Sequence, residues 1–352
     1  MLADKRIVVT GGTGSLGKVL VRRLLSGELG KPKSIIVFSR DETKQHAMRL
    51  AYQSRKAATD EIIYRNFEQL LQFQIGDVRD YHRLSAVLRN ADVVFNAAAL
   101  KQVPSCEYFP FEAVQTNIIG PENMVQAIRE NRLPIETVVG ISTDKACKPV
   151  NVMGMTKAIQ ERIFVQASMD CPNTRFICVR YGNVLASRGS VIPLFHEQIR
   201  SGGPVTITTV DMTRFLLSLD KAVDTIFAAL KQANRGETFI PRVPSARVID
   251  IAEVLIGKRP IKTVVTGIRP GEKIHEILVS EEEAQRTVER GEYYAIMPML
   301  PELRLPKVTA KTLEEEYSSA DNIMAKGDLA KLLRKYRLLV EDKIVLEEEI
   351  LA

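Results

Sequence analysis

The chain has 352 residues, 45% of them hydrophobic and 26% charged, with a formal net charge of +6. That length and apolar fraction exclude a disordered chain or a disulfide-stapled miniature fold, and predict a core domain with a smaller lobe. The basic residues are scattered rather than gathered in one run, which argues against a nucleic-acid partner and fits a pocket for phosphate-bearing ligands.

The charged start Asp4-Lys5-Arg6 runs directly into residues 6–10 (RIVVT), which read as a buried parallel strand, so no signal peptide is expected. A glycine-rich turn follows, then a helix with apolar residues at Leu16, Val19, Leu20, Leu24 and Leu25. Further strands are predicted at 34–38, 72–75, 92–96, 137–142 and 175–179, with helical patterns between most of them. This alternation predicts an α/β fold: a Rossmann-type, doubly wound parallel sheet built with right-handed crossovers. After about residue 180, Pro and Gly punctuate shorter elements (Pro193, Gly202, Gly203, Pro204, Pro241, Pro244). We therefore expect a dinucleotide-binding domain over 1–180, rejoined by about 210–240, and a substrate lobe over 181–306. A charged helical tail is expected over 307–352, with helical spacing at 326–351. No apolar run approaches the ~20 residues that span a bilayer. The four cysteines (Cys106, Cys147, Cys171, Cys178) form no CxxC pair, so reduced cytoplasmic thiols and no metal site are expected.

Gly11-Gly12-Thr13-Gly14-Ser15-Leu16-Gly17 lies between the first strand and its helix. Gly11 suits a sharp turn, Gly14 lets backbone approach a pyrophosphate at the helix N-terminus, and Gly17 permits close helix–strand packing. With Thr13, Ser15 and Leu16 these residues form the expected dinucleotide cradle. After the second strand, Phe38-Ser39-Arg40-Asp41-Glu42 puts Arg40 ahead of any acid. Arg suits a 2′-phosphate, with Lys44 in support, so NADP is expected rather than NAD. The alternative leaves Arg40 in solvent and gives the ribose to Asp41. Asp77-Val78 is placed at the adenine edge, with a second role for Asp77 as the cap of a helix at 80–90. Ala97, Ala98 and Ala99 let a cofactor lie against the backbone.

These motifs resemble the extended short-chain dehydrogenase/reductase superfamily. Residues 96–120, 142–158 (STDKACKPVNVMGMTKA), 180–195 (RYGNVLASRGSVIPLF), 212–219 and 269–278 (RPGEKIHEIL) narrow the resemblance. They look like the inverting UDP-N-acetylglucosamine 4,6-dehydratases of the capsule and O-antigen branch. The resemblance implies a lyase for surface-polysaccharide sugars: hydride passes from carbon 4 to NADP+, water is eliminated across carbons 5 and 6, and hydride returns to carbon 6 with inversion at carbon 5. It also implies a cytoplasmic homo-oligomer, a hexamer, and admits an added carbon-3 epimerisation. A UDP-sugar 4-epimerase or reductase, and a non-catalytic NADP-binding regulator, are the alternatives.

The resemblance also assigns site residues. The superfamily pattern Tyr-x-x-x-Lys falls on Met153-Gly154-Met155-Thr156-Lys157, so Lys157 is kept for the nicotinamide ribose. Met153, which carries no titratable proton, leaves the 4-hydroxyl without its usual base. Thr143, Asp144, Lys145 and Lys157 form the expected catalytic set. Lys145 is the carbon-5 base, its pKa lowered by burial and by Lys157, and Asp144 is the acid for the departing 6-oxygen. Ser142 and Thr143 are expected to hydrogen-bond the sugar. Lys101, Asn183, Arg188, Ser190, Arg214 and Glu272 are the expected substrate contacts, the last two also readable as a mutual salt bridge.

Overall fold

The computed structural model describes residues 1–53, 67–185, 190–304 and 312–342. Six strands, β1 (Arg6–Thr10), β2 (Ser34–Ser39), β3 (Leu71–Ile75), β4 (Val93–Asn96), β5 (Thr137–Ile141) and β6 (Arg175–Val179), pair in parallel in the spatial order 3-2-1-4-5-6. This is the doubly wound order, and its direction reverses between β1 and β4. The expected α/β architecture is therefore present.

These strands are apolar almost throughout because both sheet faces are covered. Ile7, Val9, Val93, Phe95, Val139 and Ile141 pack with helices Ser15–Leu25, Glu42–Gln53 and Leu219–Gln232. The alternate residues Val8, Val94 and Val138 pack on the other face with helices Tyr81–Leu88, Gly120–Glu130 and Val152–Asp170. Each large side chain so buried contributes roughly 1.5–3 kcal/mol before its entropy cost is deducted.

Beyond residue 180 the chain serves both parts of the molecule. Helix Leu219–Gln232 and strand β9 (Thr238–Pro241) rejoin the sheet beside β6. Strands β13 (Thr287–Arg290) and β14 (Tyr293–Ile296), which the composition placed in the smaller lobe, extend the same sheet to nine strands in antiparallel fashion. The rest forms short ladders: β7 (Val205–Ile207) with β11 (Thr263–Val265), β8 (Thr213–Phe215) with β10 (Ser245–Arg247), and β12 (Ile277–Val279) with β15 (Tyr317–Ser318). Helices Val191–Arg200, Val248–Ile256 and Lys326–Lys335 share a second core around Phe195, Ile251, Leu255, Leu329 and Leu333. The tail helix ends at Lys335, where Tyr336 and Arg337 turn, so helical spacing alone overextended it; residues 343–352 lie outside the described part. Among the described residues, no helix is long and apolar enough to cross a membrane.

Candidate functional site

Many of the expected site residues follow the carboxyl ends of β1 to β6, while Lys157 lies on helix Val152–Asp170 and Arg214 and Glu272 in the smaller lobe. At β1, Gly11 has φ +67°, and a Cβ there would lie 2.7 Å from the Ala98 nitrogen and 2.8 Å from the Ala97 carbonyl. The loops after β1 and β4 thus touch through backbone alone. Thr10 reinforces this: its carbonyl accepts from Ala97 N–H and its hydroxyl from Ala98 N–H. Gly17 abuts Gly12, where a Cβ would sit 2.5 Å from the Gly12 Cα. Gly14 caps helix Ser15–Leu25 with no side-chain hydrogen bond, and a Cβ there would meet only the Gly11 carbonyl. An 11-residue helix therefore opens on a bare backbone, exposed at Gly14 and half-buried at Ser15 and Leu16. The arrangement fits a dinucleotide pyrophosphate. Thr13 is buried and its hydroxyl bonds Ser39 at the end of β2.

Arg40 follows β2 directly and is largely exposed, lying 3.7 Å from Asp77. Lys44 is turned to Asp41, 2.9 Å away. Asp77 does not open the next helix: Asp80 is its cap, accepting from Arg83 N–H. Asp77 instead accepts from the backbone and guanidinium of Arg79. Burial opposes its charge, but Arg79 and then Arg40 outweigh it and hold its carboxyl below the usual range. Val78 is buried, Ala97 and Ala98 are half-buried, and Ala99 and Lys101 are exposed.

The chemistry-bearing cluster begins where β5 ends. Ser142 N–H donates to the Val179 carbonyl and Asp144 N–H to that of Tyr181, so the chain stays tied to β6. Thr143 caps the turn Asp144–Ala146, and its hydroxyl donates to Asp144 Oδ1 at 2.8 Å. The turn packs under helix Val152–Asp170 because Gly154 has no side chain: a Cβ there would lie 2.1 Å from the Lys145 carbonyl oxygen.

Asp144 is fully buried, and Lys145 Nζ donates to its Oδ1 at 3.0 Å. The same amine donates to Asn183 Oδ1 at 3.0 Å and lies 3.2 Å from Glu276 Oε1. Burial raises the Asp144 carboxyl, Glu276 adds to the rise, and Lys145 opposes it. For Lys145, burial favours the neutral amine, but Asp144 and Glu276 outweigh it and hold the amine above its ordinary value. The expected lowering of Lys145 is thus reversed, by Asp144 first and then by Glu276, a carboxylate not expected there. Lys157 turns to Gln160, donating to its Oε1 at 2.6 Å. Burial pushes Lys157 down to about 8.

Several other residues sit differently from expectation. The Ser142 hydroxyl is buried and donates to Glu161. Met153, at the position of the usual tyrosine, packs with Cys106 and Ala113. Arg214 does not pair with Glu272. Its guanidinium donates to the carbonyls of Thr213, Lys273 and Ile274 and lies 3.8 Å from Glu276. Glu272 accepts from the Thr208 hydroxyl. Ser190 sits at the start of helix Val191–Arg200, and Arg188 lies outside the described residues. Glu276, four residues beyond Glu272 in the same quoted segment, was missed. The signal was present as a second acid in RPGEKIHE, but nothing local pointed it at Lys145.

The polysaccharide biosynthesis protein family matches residues 7–298. A protein of Methanocaldococcus jannaschii, known only as an uncharacterised membrane protein, is 44% identical over 306 residues, covering 84% of this chain and 86% of its own length. A UDP-glucose 4-epimerase of Rickettsia bellii is 42% identical over 303 residues, 84% of each chain. The X-ray structure of Pen from Bacillus thuringiensis superposes with a TM-score of 0.84 at 34% identity, covering 96% of this chain and 100% of that one. The dTDP-glucose 4,6-dehydratase DesIV of Streptomyces venezuelae, solved with NAD, shares the fold: TM-score 0.63 at 20% identity, over 76% of this chain and 86% of that one.

Proposed function

The chain belongs to the polysaccharide biosynthesis protein family, and on that premise we propose that it is a nicotinamide-dependent enzyme of nucleotide-activated sugars, a UDP-N-acetylglucosamine 4,6-dehydratase that inverts carbon 5. The observation that carries the lyase reading is the Asp144–Lys145 pair at the carboxyl end of β5, the strand end at which open α/β sheets bind their ligands. An elimination needs an acid and a base close together, whereas hydride removal and return at one carbon does not.

The residues Gly11, Thr13, Gly14, Ser15, Leu16 and Gly17 would hold the dinucleotide phosphates, with Asp77 and Val78 at the adenine, Ala97, Ala98 and Ala99 along the backbone, and Lys157 at the nicotinamide ribose. Bound there, the dinucleotide supplies a reversible hydride acceptor. Arg40, the first side chain after β2, favours NADP through a charge-assisted contact to a 2′-phosphate. NAD is the alternative, and it is the dinucleotide found with the structural relative DesIV. Lys145 presents the amine that exchanges protons with the sugar, because its side chain is 20% exposed while that of Asp144 is 1% exposed. Asp144 then acts largely from behind that amine, and Thr143 orients it. Lys101, Arg188, Ser190, Arg214 and Glu272 are proposed for the nucleotide diphosphate and ribose. Arg214 would have to release backbone carbonyls to reach a phosphate. Asn183 is better placed to orient Lys145 than to touch a phosphate.

A second reading, a UDP-sugar 4-epimerase, is favoured by the name of the rickettsial relative. Mass spectrometry of the product from UDP-N-acetylglucosamine separates the two. Loss of one water, with solvent deuterium entering at carbon 5, is the expected outcome. An unchanged mass with a new sugar supports the epimerase. Dinucleotide binding without turnover on any nucleotide sugar defeats both and leaves a binding protein. Light scattering tests the hexamer implied by the resemblance.

A further inference from the structure

Lys145 meets more carboxylate than one acid–base pair requires. A lysine ammonium has three N–H donors, and here it faces three acceptors: Asp144 Oδ1 at 3.0 Å, Asn183 Oδ1 at 3.0 Å and Glu276 Oε1 at 3.2 Å. The Glu276 side chain is 3% exposed against 20% for that of Lys145, so both carboxylates lie deeper than the lysine side chain. Among the described residues, Asp144 Oδ2 and Glu276 Oε2 are buried with no hydrogen-bond partner. The Glu276 backbone is held in place, its N–H donating to the Ser319 hydroxyl and its carbonyl accepting from Ser319 N–H.

Two carboxylates this close in a buried site do not ionise equally. Glu276 faces three cations: Lys145 from the β5 turn, Arg214 from β8, and Lys273 from its own segment. Asp144 faces Lys145, the Thr143 hydroxyl, and the negative charge of Glu276. The surroundings therefore favour the anion at 276 and the proton at 144.

We propose that Glu276 is a positioning residue for the Asp144–Lys145 pair: its carboxylate stays ionised and serves as the fixed counter-charge of the Lys145 ammonium, so that of the two carboxylates Asp144 is the one that takes up and gives away a proton. This rests on the reading of that pair as the proton-transferring centre. The directions of titration fit: burial opposes charge at all three groups, yet Glu276 is lowered by its cations, Asp144 is raised by burial and then by Glu276, and Lys145 is raised by Asp144 first and Glu276 second, against an opposing Arg214. Removing the charge at 276 lowers the proton affinity of both Asp144 and Lys145. Both limbs of a pH profile governed by the pair then move to lower pH together, a signature that loosened packing does not produce.

The test compares the native chain with Glu276→Gln and Glu276→Asp, using competitive acetylation across pH with mass-spectrometric readout of the peptide carrying Lys145. In the native chain the Lys145 midpoint is expected above the ordinary lysine value of about 10.4; a midpoint at or below it overturns the proposal without any variant. In folded Glu276→Gln the midpoint is expected to fall by about one pH unit or more, and both limbs of the kcat profile to shift the same way. An unchanged midpoint overturns the proposal. Glu276→Asp keeps the charge and is expected to stay nearer the native midpoint than Glu276→Gln; an equal shift also overturns it. Acetylation needs no substrate, so failure to find a nucleotide-sugar substrate defeats the functional reading while the labelling still decides the role of Glu276.

Discussion

The loop from Gly11 to Gly17 and the cluster around Lys145 sit at the same ends of one sheet but are built in opposite ways. The loop is a continuous stretch whose character lies in its backbone: a positive φ at Gly11, touching backbones at Ala97 and Ala98, and a helix opening without a side-chain cap. The cluster is made of side-chain charges drawn from separate stretches, Asp144 and Lys145, Arg214, and Lys273 with Glu276, joined by the neutral amide of Asn183. A backbone site survives most side-chain changes that keep its glycines. A charge cluster depends on every member, because each sets the protonation of the others.

Four experiments break or sharpen this contrast. Lys145→Met removes the cluster's amine and leaves the loop intact. Turnover is expected to fall by about 10²–10⁴-fold, the usual scale of general acid–base loss, while the dissociation constant for the dinucleotide stays within about twofold, given that the amine lies outside the loop proposed to hold the pyrophosphate. Equal losses in both measurements would merge the two regions. Next in size is Gly154→Ala, which puts a methyl group against the Lys145 carbonyl. Forcing the helix off the turn is expected to cost about 1–3 kcal/mol, read as a lowered Tm together with lost turnover; a native Tm would show that the close approach is dispensable.

Arg40→Ala probes the loop side. The dissociation constant for NADP is expected to rise about tenfold or more, the scale of one charge-assisted contact, with that for NAD unchanged. Parallel weakening of both dinucleotides would remove Arg40 as the discriminating residue. The last effect, gradual rather than abrupt, is a pH dependence at Lys157. Its folded value of about 8 lies below the ordinary lysine value, so the folded state binds fewer protons than the unfolded chain between about pH 8 and 10.4. The burial penalty is fully present below pH 8 and fades as pH rises. Denaturant stability should therefore climb by about 1 kcal/mol per pH unit across that window relative to Lys157→Met. A flat difference between the two proteins would refute it.

Much of the architecture was legible in the linear chain. Apolar runs such as RIVVT and SIIVF, alternating with helical spacing, announced a parallel sheet covered on both faces, and the glycine pattern marked its first crossover. These signals are readable because burial leaves its period on consecutive residues and turn geometry is set by residues a few positions apart. Met153 in place of tyrosine was equally visible, since it depends on one position in one motif.

What the linear chain left undecided is where charges meet. Arg214 and Glu272, both assigned to the second lobe, could be read as a salt bridge, yet the fold turned the guanidinium to backbone carbonyls and to Glu276. Asn183 moved from an expected phosphate contact to the Lys145 amine. Lys145 was expected to lose its proton easily, and two buried carboxylates reverse that. Backbone periodicity is a local property and survives in one dimension. Electrostatic partnership falls off with distance in space and ignores distance along the chain, so only the tertiary structure decided which acid faces which base.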